Sequence, residues 1–99
     1  MSKKDCQRSH FKRRVFERYE ITINDGEYDY LVSRVKKNDK SVVQFLMKQS
    51  NRISISLITY KGKEIVAVYD KLRKALCTCL PAECKDITKI FNYIQEIEE

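Results

Sequence analysis

The chain has 99 residues, 42% of them hydrophobic, with two glycines, one proline and a formal net charge of +6. This length holds a single domain, residues 1–99, and the composition excludes a disordered tail. No apolar run approaches the roughly 20 residues of a membrane span, and the N-terminus lacks the apolar core of a signal peptide. We therefore predict a cytoplasmic protein with no membrane partner.

Two helices are predicted in the N-terminal third. The first covers about residues 4–19, because apolar residues recur there at helical spacing. That stripe comprises Phe11, Val15, Tyr19 and the adjacent Phe16. The second helix covers about residues 25–37 and begins at a capping box, with Asn24 as the cap and Glu27 three residues later.

The middle of the chain changes to the period of β-strands, and we predict a four-stranded antiparallel sheet over about residues 41–80. In the second strand, Ile53, Ile55 and Leu57 alternate with Arg52, Ser54 and Ser56. This alternation predicts a strand with one buried and one solvated face, so helices are expected to cover only one side of the sheet. Lys61-Gly62 is predicted to form the tight turn into the third strand.

A C-terminal helix is predicted over about residues 83–98, where apolar residues again follow helical spacing. The fold class is therefore α+β, with two N-terminal helices, a four-stranded antiparallel sheet and a C-terminal helix. Exposed strand edges leave a dimer open.

Positive charge is concentrated in the first helix and the sheet. Residues 1–19 contain seven Lys or Arg against two acids, and residues 40–79 contain eight against two. The last twenty residues are acidic, with five acids against two lysines. A basic surface on one side of a small domain suits a polyanionic ligand such as nucleic acid, and a surface charge that only keeps the protein in solution explains the same distribution.

The four cysteines are expected to be reduced thiols in a cytoplasmic protein. Cys77, Cys79 and Cys84, with Cys6, leave a zinc site open, but their spacing matches no standard zinc motif. We predict structural or incidental thiols, with no metal and no cofactor.

The only histidine, His10, is followed closely by Arg13 and Arg14. Histidine has an unperturbed pKa of about 6.5 and can both take and give a proton near neutral pH. Arginine presents a planar fork that suits phosphate oxygens. Two interpretations of Tyr69 stay open: its ring stacks on a base of the nucleic acid, or it packs in the core of the domain.

Three short motifs resemble small ribonuclease-like toxin domains of phages and bacteria, the group around barnase, EndoU, colicin D and RelE. The first is a pattern like H-x3-R-x2-E-R-[YF]-x-I, present here as His10, Arg14, Glu17, Arg18, Tyr19 and Ile21. The second is the hairpin from Thr59 to Asp70, and the third is Thr78-Cys79-Leu80-Pro81. The resemblance covers residues 9–81 and is closest to the colicin D-like and RelE-like members.

The resemblance implies a metal-independent endoribonuclease that acts on tRNA or on ribosome-associated RNA. In such enzymes a base takes the ribose 2′-OH proton, the oxygen attacks the adjacent phosphorus, and cationic groups stabilise the phosphate. By carry-over, His10 is the general acid or base, Arg14 and Arg52 hold the phosphate, and Thr78 lines the cleft. Catalytic roles are thus assigned to His10, Arg14 and Thr78.

The remaining predicted contacts to RNA are basic or aromatic. They are Arg13, Lys48, Arg52, Lys61, Lys63, Tyr69 and Arg73. Whether the protein is an enzyme stays open, because a phage-type basic protein that inhibits a host or defence machine through nucleic-acid or protein contacts explains the same charges. An antitoxin or a host protein is a further expected partner.

Overall fold

A computed structural model describes residues 3–85 and 88–90 of the chain. Helix α1 spans Lys3–Tyr19 and helix α2 spans Asp25–Lys36. The strands are β1 Val43–Lys48, β2 Ile53–Tyr60, β3 Lys63–Asp70 and β4 Ala75–Leu80. A short 3₁₀ helix, Ala82–Lys85, follows, and residues 88–90 are helical. The predicted α+β fold class is confirmed, while most of the helix predicted over residues 83–98 lies outside the described residues.

The four strands form one antiparallel meander in the order β1-β2-β3-β4, as the sequence predicts. The predicted tight turn between β2 and β3 is also present. Lys61 and Gly62 both have positive φ, at 50° and 76°, which is the backbone of a two-residue hairpin loop that matches the twist of its strands.

The predicted capping box opens α2. The Asn24 side chain accepts a hydrogen bond from the Glu27 amide at 2.8 Å, and the Glu27 carboxylate accepts one from the Asn24 amide at 3.1 Å. Two amide groups at the start of the helix are thereby satisfied, which fixes where α2 begins.

The apolar stripe of α1 packs on the sheet, with one exception. Phe11, Val15 and Tyr19 are buried in a cluster that also holds Ile65 of β3, as predicted. The inclusion of Phe16 was wrong, because its side chain is 58% exposed. One residue beyond Val15, Phe16 is turned about 100° around the helix and away from the sheet.

The expectation of one solvated sheet face was wrong. Ser54 and Ser56 are only 5% and 4% exposed, and they pair with Tyr69 and Ala67, which pack in the cluster beneath α1. Directly paired residues share a face, so the serines lie on the helix side. Ile55 and Leu57 of β2 lie on the other face, in a second buried cluster that also holds Val66, Leu80, Cys84 and Ile90, whereas Ile58 lies on the helix side with the serines. Both faces are covered because the segment after β4 packs against the second one.

Two register shifts interrupt the ladders and were not predicted. One lies in β1 between Phe45 and Met47, and the other displaces β4, where Leu76 pairs with Tyr69 and Thr78 with Val68. In β4 the extra residue is Cys77. Such a bulge re-aims the side chains that follow it, so both Leu76 and Cys79 enter the cluster beneath the helices.

The hydroxyls of two buried tyrosines form hydrogen bonds between the helices and the sheet. The Tyr19 hydroxyl donates to the Leu80 carbonyl at 2.6 Å and accepts from the Val66 amide at 3.1 Å. The Tyr28 hydroxyl donates to the Leu76 carbonyl at 2.9 Å and accepts from the Leu76 amide at 3.0 Å. These bonds satisfy buried backbone groups and fix how α1 and α2 sit over β4.

In the described ranges, no helix has the length and apolar character needed to cross a membrane.

Candidate functional site

A groove of about 770 Å³ lies between the first half of α1 and strand β4. We call it the His10 groove, and it is lined by Cys6, Gln7, Ser9, His10, Arg13, Cys77 and Thr78. Two of the three predicted catalytic residues, His10 and Thr78, therefore line one cavity although they are far apart in sequence. The packing of α1 over β4 brings them together.

His10 is held in its neutral form. Burial lowers the pKa of its imidazole below 6.5, and the positive charges of Arg14 and Arg13 lower it further. Arg13 donates from Nη2 to Nδ1 of His10 at 3.3 Å. Because a guanidinium can only donate, Nδ1 is the acceptor and the single imidazole proton sits on Nε2. The groove thus contains an uncharged imidazole beside an arginine at neutral pH.

The two arginines near His10 have different partners. Arg14 forms an ion pair with Glu17, with Nη1 and Oε1 3.1 Å apart, and both side chains are well exposed. Such exposed pairs contribute little to stability and exchange readily. Arg13 is exposed and lines the groove, so its guanidinium is the cation placed to meet a phosphate beside the imidazole.

Strand β4 supplies the other wall through Cys77 and Thr78. Burial raises the pKa of the Cys77 thiol to about 11, so it stays protonated at neutral pH and is a poor nucleophile. Within the described residues, the Thr78 hydroxyl has one hydrogen bond, a long 3.5 Å contact to the Cys79 carbonyl. It is therefore available to donate to a ligand in the groove.

Asp70 organises a polar cluster next to the groove. Its carboxylate is 1% exposed and accepts from Arg52 at 2.9 and 2.7 Å, from Arg73 at 3.2 Å and from Gln7 at 3.3 Å. The Arg52 hydrogen bonds hold the pKa of this carboxyl below its usual 3.8. Arg52 and Arg73, both predicted to contact RNA, are thus paired with Asp70 and do not line the groove.

The remaining predicted RNA contacts lie elsewhere. Lys61 pairs with Glu27 at 2.8 Å, and Lys63 donates to the Tyr19 carbonyl at 2.9 Å, at the end of α1. Lys48 is exposed at the end of β1. Tyr69 is 6% exposed and lines a second groove on the sheet. Of the ten predicted site residues, the His10 groove therefore contains His10, Arg13 and Thr78.

Sequence reasoning missed four residues that line the groove, Cys6, Gln7, Ser9 and Cys77. Helix geometry was a usable signal for Cys6 and Gln7, because they lie four and three residues before His10 and share its face. Cys77 had no such signal, since its position depends on the bulge in β4.

Among the described residues, no three His, Cys, Asp or Glu side chains are grouped to hold a metal ion.

Comparisons with protein-family models, with curated proteins and with solved structures give no significant match to this chain. The resemblance to ribonuclease-like toxin domains therefore stays a prediction from short motifs. The functional argument has to be made from the residues of the groove.

Proposed function

We propose that the protein binds RNA in the His10 groove and cleaves its phosphodiester backbone without a metal ion. One observation carries the proposal: a neutral, partly buried imidazole, an arginine and a hydroxyl line one open groove. These are the groups that proton transfer and phosphate stabilisation require. The formal charge of +6 and the basic first helix favour a polyanionic substrate.

Arg13 connects binding to catalysis in this proposal. In the free protein the Arg13 guanidinium donates a hydrogen bond to the lone pair on Nδ1 of His10. A bound phosphate competes for the guanidinium, because a charge-assisted bond to an anion is stronger than one to a neutral ring nitrogen. The imidazole is then released as a base at the moment that a phosphate arrives.

The reaction is a transesterification. His10 takes the proton of the ribose 2′-hydroxyl, the 2′-oxygen forms a bond to phosphorus, and the bond to the 5′-oxygen breaks. The leaving oxygen takes a proton from water, and the imidazolium returns its proton to solvent. Arg13 and the Thr78 hydroxyl stabilise the charge on the phosphate oxygens. The products are a 2′,3′-cyclic phosphate and a 5′-hydroxyl.

The test incubates total RNA and labelled tRNA with the protein in excess chelator. We expect fragments with cyclic phosphate ends from the wild type and from Lys40→Gln, a control that removes an exposed charge away from the groove. His10→Ala should lose about 100-fold or more of the rate, as is usual when a general base is removed. Arg13→Gln should lose both rate and affinity.

Intact RNA that is retarded by the wild type would overturn cleavage and leave a binding protein. Cleavage that survives His10→Ala would place the chemistry outside the groove. A toxin role, and with it an antitoxin or a host protein as partner, extends the same proposal, and it predicts growth arrest on expression that His10→Ala relieves.

A further inference from the structure

A second groove, of about 420 Å³, lies on the helix side of the sheet beyond the end of α2. We call it the Ser56 groove. It is lined by polar residues of the sheet, by lysines from two segments and by one exposed aromatic ring. Neither Ser54 nor Ser56 was singled out as functional by the sequence.

Two serine hydroxyls make this cavity unusual. Ser54 and Ser56 of β2 are 5% and 4% exposed, yet within the described part of the chain neither hydroxyl makes a hydrogen bond. Both residues line the groove. The fully buried atoms that lack a partner among the described residues do not include either serine oxygen, so both hydroxyls are in contact with the open cavity and can bond to a ligand there.

Positive charge comes from two separate segments. Lys36 ends α2, and Lys71 and Lys74 lie in the turn between β3 and β4, and all three line the groove. No ion pair joins any of the three to a described acid, whereas Lys12 and Lys61 each have one. Three ammonium groups around one cavity, none of them paired with an acid in the described part of the chain, attract an anion.

The groove also offers a flat apolar surface. Phe45 of β1 is 54% exposed and lines the cavity, next to the bulge in that strand. An exposed ring can stack on a base, which is worth about 1–3 kcal/mol per base in single-strand binders. Tyr69 lines the same groove but is 6% exposed, so little of its ring is available for stacking.

We infer that the Ser56 groove binds a nucleotide. The base lies on Phe45, the phosphate lies among the three lysines, and the serine hydroxyls bond to polar edges of the base or sugar. The cavity volume is in the range of small-ligand pockets. The nucleotide is either a free mononucleotide or a unit of single-stranded RNA, since both present the same chemistry. This site is separate from the His10 groove and does not depend on cleavage there.

The test is titration of the whole protein by calorimetry and by amide NMR. The probes are 5′-AMP, adenosine, inorganic phosphate and a short 2′-O-methyl oligoadenylate that the proposed cleavage cannot consume. We expect saturable 5′-AMP binding, with adenosine and phosphate each at least about tenfold weaker. Tighter binding of the oligonucleotide identifies RNA as the source, and equal or weaker binding identifies the free nucleotide.

Variants locate the ligand. Lys71→Gln and the double change Ser54→Ala/Ser56→Ala should each weaken 5′-AMP binding by about fivefold or more, and Phe45→Ala should remove the preference for 5′-AMP over phosphate. Lys37→Gln is the matched control, because Lys37 adjoins Lys36 but does not line the groove. The serine variant should keep the unfolding midpoint of the wild type, since the hydroxyls it removes bond to no other described residue.

Three results would overturn the inference. They are an absence of saturation by 5′-AMP and by the oligonucleotide at about 10 mM, equal affinity for phosphate alone, and affinities unchanged in the groove variants. Loss of RNA cleavage in His10→Ala with intact 5′-AMP binding would separate the two sites.

Discussion

His10 and Asp70 are two titratable residues that the fold shifts in the same direction for different reasons. Burial and two arginines lower the pKa of the imidazole, which keeps it neutral. Hydrogen bonds from Arg52 lower the pKa of the carboxyl, which keeps it charged. The first shift leaves an uncharged imidazole in an open groove, and the second leaves a carboxylate that pairs with Arg52 and Arg73.

The pKa of His10 is directly measurable, because the chain has one histidine. NMR titration of its ring protons should give a pKa below 6.5 in the wild type. Arg13→Gln should raise that pKa, since it removes both a positive charge and the donor to Nδ1. Lys40→Gln is the control and should leave it unchanged. A wild-type value above 6.5, or no response to Arg13→Gln, contradicts the neutral-imidazole account.

The same pKa sets the sign of one contribution to stability. A histidine whose folded pKa lies below its unfolded value binds fewer protons when folded, so its contribution is present above 6.5 and is lost as pH falls from there through the lowered folded pKa. His10→Ala should therefore weaken the loss of stability between neutral pH and about pH 5.

Asp70→Asn should lower the free energy of unfolding at pH 7 by about 1–3 kcal/mol, because it leaves two arginines without their carboxylate. The folded pKa of Asp70 is depressed, so its contribution is present above 3.8 and lost as pH falls through the lowered value. The variant should consequently respond less to acid than the wild type.

Chemical denaturation at pH 7 and at acid pH measures this difference. Asp29→Asn, which changes an exposed carboxylate on α2, is the matched control and should unfold like the wild type. Equal stability of Asp70→Asn and Asp29→Asn would show that the Asp70 cluster does not hold the β3–β4 turn.

At the scale of elements, tyrosine hydroxyls fix the helices that carry the site. Tyr28→Phe should lower stability by about 1–3 kcal/mol, because it leaves the amide and carbonyl of Leu76 unpaired in the interior. Tyr30→Phe alters an exposed tyrosine two residues away on α2 and should cost little. Thermal and denaturant unfolding compare the two, and an equal effect would exclude the Leu76 contacts as the cause.

Strong local signals were predictable from the sequence. The capping box of Asn24 and Glu27 and the Lys61-Gly62 turn depend on neighbouring residues and were confirmed. The layer on each face of β2 was not predictable, because alternation separates two faces without saying what covers either one. Ser54 and Ser56 therefore looked solvated, although both are buried.

The candidate site was predicted in part for the same reason. His10 and Arg13 lie one turn apart on α1, so helix geometry places them together. That Thr78 lies near His10 was an expectation from the resemblance. The bulge in β4 that places Cys77 in the groove was not predictable, because β4 contains no glycine or proline that would indicate a bulge. The pairing of Arg52 with Asp70 depends on strand register, which charge counts do not report.

At the scale of the whole molecule, the net charge of +6 overstates the charge available to RNA. Arg52, Arg73 and Lys61 are each paired with an acid, while Arg13 faces the groove. We expect RNA affinity to fall with salt by about 0.7 log unit per log unit for each phosphate neutralised. A slope equivalent to about two to four phosphates fits this account. An RNA affinity that does not change with salt concentration would favour a protein partner instead.

The most direct test of the central claim compares two synthetic oligonucleotides that differ at one ribose. Wild-type protein in chelator should cleave an all-RNA strand at a mapped site and leave intact the same strand with a 2′-deoxy sugar on the 5′ side of that bond. His10→Ala should cleave neither, although it should bind both. Cleavage of the deoxy-substituted strand, or equal cleavage by His10→Ala, would contradict proton abstraction from the 2′-hydroxyl by His10.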